Sequence, residues 1–256
     1  MEKLPATTGW LWVKEGFALF RKQPAEMSTL FMAYMFAMLV VGLVPLLGQV
    51  LPLFLVPIFS IGFLQACAQI EQGKRVFPNL LLTGFRSSAR NRLLMLGAIY
   101  LLAAVVAVMA SALADGGVFW QALSGQAALD ADTVRDSNLT LAMLLAALFY
   151  TPAAMAFWYA APLIAWQDMS VGKAIFFSFF AVWRQGRAFL VYGLAWIALG
   201  VLLPVMVSLV SALLFEKAIV TVLILLPLSI ALTVVMYCSF YPTYTHLFGR
   251  PPQQPG

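Results

Sequence analysis

Charge is what this chain has least of. Only 10% of its 256 residues are Asp, Glu, Lys or Arg, against 63% hydrophobic. A soluble domain carries about 25% charged residues, and a larger globular core does not explain so deep a deficit. Cysteine is scarce too: Cys67 and Cys238 fall in apolar stretches and form no spaced set. With no CxxC or Cys/His cluster, neither a disulfide framework nor a zinc site is expected, and no metal or cofactor is called for. There is one histidine, His246, so a Ser/His/Asp or Cys/His arrangement has a single candidate base with no nucleophile beside it. No glycine-rich phosphate loop or paired-carboxylate motif is found. Nor is any charged group placed inside a span, where membrane enzymes and ion-coupled transporters keep theirs; every charge falls in a loop or at an interface. The expectation is a protein that is not an enzyme. Residues 1–26 also lack a signal-peptide core and a small-residue cleavage site, so the first apolar run is expected to be an uncleaved anchor.

Long uncharged runs are abundant: Met27–Ile70, Leu93–Ala114, Ser137–Gln167, Ala188–Phe215 and Ala218–Gly249. Crossing about 30 Å of hydrocarbon takes about 20 residues at 1.5 Å each. The first run has length for two crossings around Pro45 and Gly48, and the others supply one each. The chain is expected to be an all-α integral membrane protein with six transmembrane helices, at about 27–47, 49–70, 93–114, 139–166, 188–214 and 218–240. Thirteen of its fifteen Lys and Arg fall on one side of this alternation, and only Arg135 and Lys217 on the other. The positive-inside bias then puts both termini in the cytoplasm. This topology also accounts for the basic balance, leaving no reason to invoke nucleic acid. The segment 115–138, with Asp115, Asp130, Asp132 and Asp136, reads as a solvated acidic loop lacking the glycine and closing Glu of an EF-hand.

Between spans lie charged aromatic stretches. Phe17-Ala-Leu-Phe20-Arg21 has a near-copy at Phe180-Ala-Val-Trp183-Arg184 and a weaker echo at Leu82-Thr-Gly-Phe85-Arg86, each before a two-span hairpin. Trp10, Val13, Phe17 and Phe20 share a helical face, as do Phe77, Leu81 and Phe85. The reading is three hairpins, each preceded by a cytoplasmic-side amphipathic helix lying in the interface. Pseudo-repeats run over about 8–70, 77–166 and 170–240 of a single membrane domain, 1–248, with 249–256 a disordered tail.

Trp12-Val-Lys-Glu-Gly16, Phe20-Arg21-Lys22-Gln-Pro24, Ala165-Trp166-Gln-Asp168, Lys173-Ala-Ile-Phe-Phe-Ser178, Trp183-Arg184 and Tyr237-Cys-Ser-Phe-Tyr241, in this order and spacing, resemble a family of betaproteobacterial inner-membrane proteins. The resemblance covers about residues 8–248. It implies a bacterial inner-membrane location and six helices, and it carries no activity with it.

Two surfaces stand out as candidate sites. Arg21, Lys22, Lys74, Arg75, Arg86, Arg90, Arg92, Lys173, Arg184 and Arg187, with Trp183 among them, would form a basic, aromatic cytoplasmic ring suited to anionic phospholipid or a membrane partner; the plainer reading is that these charges only set topology. Inside the membrane, Gln65 and Gln69 lie one helical turn apart, fit to line a cavity or to bond a neighbouring helix. With the kink-forming pairs Pro52/Pro57 and Pro152/Pro162, they support an alternative: a small permease for an uncharged or amphipathic solute.

Overall fold

A computed structural model describes residues 3–45, 48, 50–123, 138–215 and 218–251. Gln49, Asp130, Asp132, Arg135, Asp136, Glu216, Lys217 and the tail beyond residue 251 lie outside the described residues. The described chain is helical: α1 (Thr8–Lys22), α2 (Pro24–Gly42), α3 (Leu51–Glu71), a 3₁₀ turn (Pro78–Leu82), α4 (Thr83–Arg86), α5 (Arg90–Asp115), α6 (Val118–Leu123), α7 (Leu139–Phe157), α8 (Ala160–Trp166), α9 (Val171–Arg184), α10 (Gly186–Ile197), a π segment (Ala198–Leu202), α11 (Leu203–Phe215) and α12 (Ala218–Phe248). Six stretches are long and apolar enough to cross a membrane: Pro24–Gly42, Leu51–Glu71, Arg90–Asp115, Leu139–Trp166, Gly186–Ser211 and Ile219–Phe248.

The core sits at one end. Buried side chains concentrate in the halves nearest the basic loops: Met27, Leu30 and Phe31 of α2, Ile58–Ile70 of α3, Leu93 and Leu96 of α5, Phe157–Trp166, and Val234–Tyr244 of α12. The opposite halves expose Leu39 and Leu43, Met109 and Leu113, Leu144 and Leu148, Leu209 and Leu213, and Leu223 and Leu226. There α5 and α7 pack on each other through small residues, Ala107, Ala110, Ser111 and Ala142, all buried. Lipid tails are as apolar as leucine, so close backbone approach and dispersion replace the hydrophobic effect as the cause of helix pairing. Ala142 therefore serves association within the chain.

The same principle corrects the expected face of α1. Its buried stripe is Thr8, Gly9, Trp12, Val13, Gly16 and Leu19, while Trp10 points outward. Counting large apolar residues misses this because two glycines define the contact. A Cβ at Gly9 would stand 2.1 Å from the Ala188 carbonyl oxygen, and one at Gly16 would stand 2.6 Å from the Ser239 Cβ. α1 thus docks on α10 and α12, far from it in sequence. The second expected surface helix is not one continuous helix: Pro78 opens a 3₁₀ turn and α4 is a single turn, held against α3 where Gly84 meets the Ile58 carbonyl.

Prolines shape the spans in specific ways. Pro52 stands in the first turn of α3, where its missing N–H costs nothing. Pro162 coincides with a break between α7 and α8 at Trp158–Tyr159. There the Ser178 hydroxyl of α9 enters the helical ladder, accepting from the Tyr159 N–H (2.8 Å) and donating to the Met155 carbonyl (2.9 Å). These are the i and i−4 groups that an unbroken helix would join directly. In the fifth span, Pro204 removes the donor for the Gly200 carbonyl, and the backbone relaxes there into the π segment.

The last span runs to Phe248, beyond the expected end near 240. Tyr241 and Tyr244, beyond that expected end, are core residues at 3% and 2% exposure. Cys67 and Cys238 are both buried, with their thiols in contact across α3 and α12.

Candidate functional site

Three backbone clamps gather the basic loops at one end. The Gln23 side chain, between α1 and α2, donates to the Lys74 carbonyl (2.7 Å) and accepts from the Val76 N–H (2.9 Å). Arg92, in the first turn of α5, donates to the carbonyls of Asp168 (2.9 Å) and Met169 (3.1 Å) and pairs with the Asp168 carboxylate. Asp168 is the one non-glycine residue with positive φ among the described residues, at 52°, a conformation Asp tolerates better than most. Gln185, between α9 and α10, accepts from the Leu4 N–H (2.9 Å).

Every described acid at this end is paired. Glu26 meets Arg75 (3.2 Å), Asp168 meets Arg92, Glu71 meets Arg250 (2.8 Å), and Glu15 meets His246 Nε2 (3.2 Å). From sequence, His246 falls beyond the expected sixth span with no partner beside it. In the fold its Nδ1 accepts from Trp12 Nε1 (3.1 Å), so imidazole joins α12 to α1 in a structural role. The Tyr241 hydroxyl adds a bond to Glu71 (2.7 Å). No spacing signal ties Glu71 to Arg250 or Trp12 to His246, because helix docking alone brings them together.

Of the residues nominated from sequence, Arg75 and Arg92 are therefore engaged with acids. Arg21, Lys22, Lys74, Arg86, Arg90, Lys173, Arg184 and Arg187 are exposed and make no ion pair or hydrogen bond among the described residues. Lys14 stands 5.9 Å over the Trp10 ring. Trp183 is 68% exposed beside Arg184, and Phe176, Phe177 and Phe180 extend the same uncovered face of α9.

A cavity of about 380 Å³ lies between α3, α5, α7, α8 and α12. Its walls include Phe63, Tyr100, Tyr150, Phe157, Trp158, Tyr237 and Phe240, and α3 contributes Val56, Ser60 and Leu64 besides Phe63. Gln65 and Gln69 are half-buried on the same helix and are not in this lining. The Tyr100 hydroxyl donates to the Phe157 carbonyl and the Ser60 hydroxyl to the Pro57 carbonyl. No charged side chain is present in the wall. The cavity is aromatic and largely apolar, with no polar file leading through it from Gln65 or Gln69.

Six apolar helices, a core gathered at one end and an excess of unpaired cations at that end define a polytopic integral membrane protein. The chain is 40% identical, over 259 aligned positions, to a probable inner membrane protein of Burkholderia thailandensis; the alignment covers 99% of this chain and 95% of the relative. It belongs to the family of that protein. No family model and no solved structure matches it.

Proposed function

We propose that this is a non-enzymatic inner-membrane protein, with both termini in the cytoplasm, that binds anionic phospholipid through its cytoplasmic face. The observation that carries the reading is the charge pairing at the basic end. Glu26, Glu71 and Asp168 are taken up by Arg75, Arg250 and Arg92, and Glu15 is held by His246 Nε2. Eight nominated cations remain beside exposed aromatics. Topology alone asks for positive charge near the membrane; it does not ask for Glu26, Glu71 and Asp168 each to be neutralised by an arginine. Each free Lys or Arg near an anionic leaflet contributes about 1 kcal/mol of attraction. The test is co-purification of anionic phospholipid with wild type and with Arg21→Gln/Arg86→Gln/Arg184→Gln, where loss without unfolding is expected.

The reading includes a threefold repeat closed into a ring. The α4 region packs on the α2/α3 hairpin, α9 on the α5/α7–α8 hairpin, and α1 on the α10–α11/α12 hairpin. Each junction also clamps the backbone ahead of the next surface segment: Gln23 holds Lys74–Val76, Arg92 holds Asp168–Met169, and Gln185 holds Leu4. The third position of the aromatic-Arg motif (Leu19, Gly84, Val182) is buried in all three copies, and the closing Arg is exposed in all three. On this reading each of the three surface segments presents an exposed arginine next to its buried contact.

The central cavity favours a second reading, a carrier for an apolar or amphipathic solute. Binding of such a solute that is abolished by Ser60→Leu, with anionic-lipid retention unaffected, would support it.

A further inference from the structure

We infer that the junction of α9 and α10 is a discrete phospholipid site, with one acyl chain seated in a groove beside Trp183 and the phosphate held by Arg184 and Arg187. This rests on the lipid-binding reading above and assigns it a place. A groove of about 480 Å³ is lined by Met155, Val182, Trp183, Gly186, Phe189 and Leu190, where the ends of α7, α9 and α10 converge. Its wall has no charged side chain, and Trp183 and Leu190 on its edge are 68% and 64% exposed. Arg184 and Arg187 each adjoin a lining residue in sequence, are exposed, and have no partner among the described residues.

Departure from the repeat singles this junction out. Phe20 and Phe85 occupy the motif position of Trp183, and both are half-buried against the main core. Trp183 is turned away from it, stacked only on Phe179 (6.0 Å). A large amphipathic ring left uncovered at the membrane surface is suited to the boundary between headgroup and acyl chain. The slot is made by five side chains and Gly186 where α9 and α10 are separated by a single residue, Gln185. A partner helix is about 10–12 Å across with its side chains; the groove is suited instead to a single hydrocarbon chain. Two guanidinium groups, each next in sequence to a lining residue, complement a phosphate, and the apolar slot accommodates the chain attached to it. The chemistry is that of a lipid, an anion covalently joined to a chain, rather than a free phosphate.

The test uses full-length protein purified in detergent, exchanged into mixed micelles containing phosphatidylglycerol and phosphatidylcholine, and read by native mass spectrometry. Wild type is expected to hold phosphatidylglycerol selectively. Arg184→Gln/Arg187→Gln should lower its occupancy roughly 30-fold, at one decade per 1.4 kcal/mol for two cations. Gly186→Leu keeps every charge and fills the groove; a Cβ there meets nothing within 4 Å, so the fold tolerates it, and it should lower occupancy as well. Arg21→Gln/Lys22→Gln should leave this site occupied. A phosphatidylglycerol carrying a diazirine in its chain should crosslink, in wild type, to Met155, Phe189 or Leu190. If wild type shows no preference for phosphatidylglycerol, the general reading fails and this site with it. If wild type shows the preference and Gly186→Leu retains it, with crosslinks elsewhere, the groove is refuted while the general reading stands.

Discussion

Ser178→Ala tests the packing of the membrane domain at its most exposed assumption. Ser178 is fully buried, and its hydroxyl bridges the open ladder of the fourth span, taking the Tyr159 N–H and giving to the Met155 carbonyl. Removing it leaves a donor and an acceptor in an environment with no water. Each orphaned group costs about 1–3 kcal/mol. Two effects reduce the sum. The groups are formal i/i−4 partners, so the helix recloses in part, and side-chain bonds between membrane helices average only about 0.6 kcal/mol because the unfolded reference state also finds partners. Pro162, with its fixed φ and missing donor, opposes full reclosure. The expected loss is about 2 kcal/mol, read as a shift in an SDS-titrated unfolding equilibrium of protein in mixed micelles. Thr29→Ala deletes a hydroxyl that is exposed and bonded to the Ala25 carbonyl of its own helix, and should cost under about 0.5 kcal/mol. A Ser178→Ala protein as stable as Thr29→Ala would refute the account of the break.

Gly16→Leu should undock α1, because any Cβ there meets the Ser239 backbone and side chain within 3.0 Å; trypsin cleavage at Lys14 or Arg21 should quicken at least tenfold. Trp12→Phe removes the donor to His246 Nδ1 while keeping most of the apolar volume, and should cost about 1 kcal/mol in the same unfolding assay. Arg92→Gln loses the clamp on Asp168 and Met169 as well as the ion pair, and should cost more than Arg75→Gln, whose pair with Glu26 is solvent-exposed and worth at most about 1 kcal/mol. A single cysteine introduced at Arg86, in a background with Cys67 and Cys238 replaced by alanine, should react with a membrane-impermeant maleimide only after the inner membrane is opened; labelling in intact spheroplasts would reverse the proposed orientation.

Membrane spans were legible because a crossing needs about twenty apolar residues in a row, and all six spans expected from the five runs correspond to apolar helices of sufficient length. Their ends were less so. The sixth was placed short because Tyr241, Tyr244, Thr245 and His246 read as polar; Tyr241 meets Glu71, Tyr244 meets Gln167 and His246 meets Trp12 only through the docking of segments distant in sequence. The buried face of α1 was rotated because glycine carries no hydrophobic signal, although Gly9 and Gly16 set the contact. Of the four prolines read as kink-forming, Pro162 coincides with a break while Pro57 and Pro152 lie inside continuous helices, and nothing local marks Ser178 as the group that fills that break. The basic ring was readable residue by residue from the sequence. Which cations are neutralised was not, since Glu26–Arg75, Glu71–Arg250 and Arg92–Asp168 are pairs made by tertiary docking. The cavity was nominated through Gln65 and Gln69 because polarity stands out in an apolar run; its actual walls are aromatics that any buried helix face would carry.

The central claim is that the unpaired cations bind anionic lipid. Its most direct measurement is the phosphatidylglycerol retained per protein after detergent purification, wild type against Arg21→Gln/Arg86→Gln/Arg184→Gln. Three charges at about 1 kcal/mol each predict roughly a 100-fold weaker association, with unfolding stability unchanged to within about 1 kcal/mol. Equal retention by a folded triple variant would contradict the account and leave these arginines as topology signals alone.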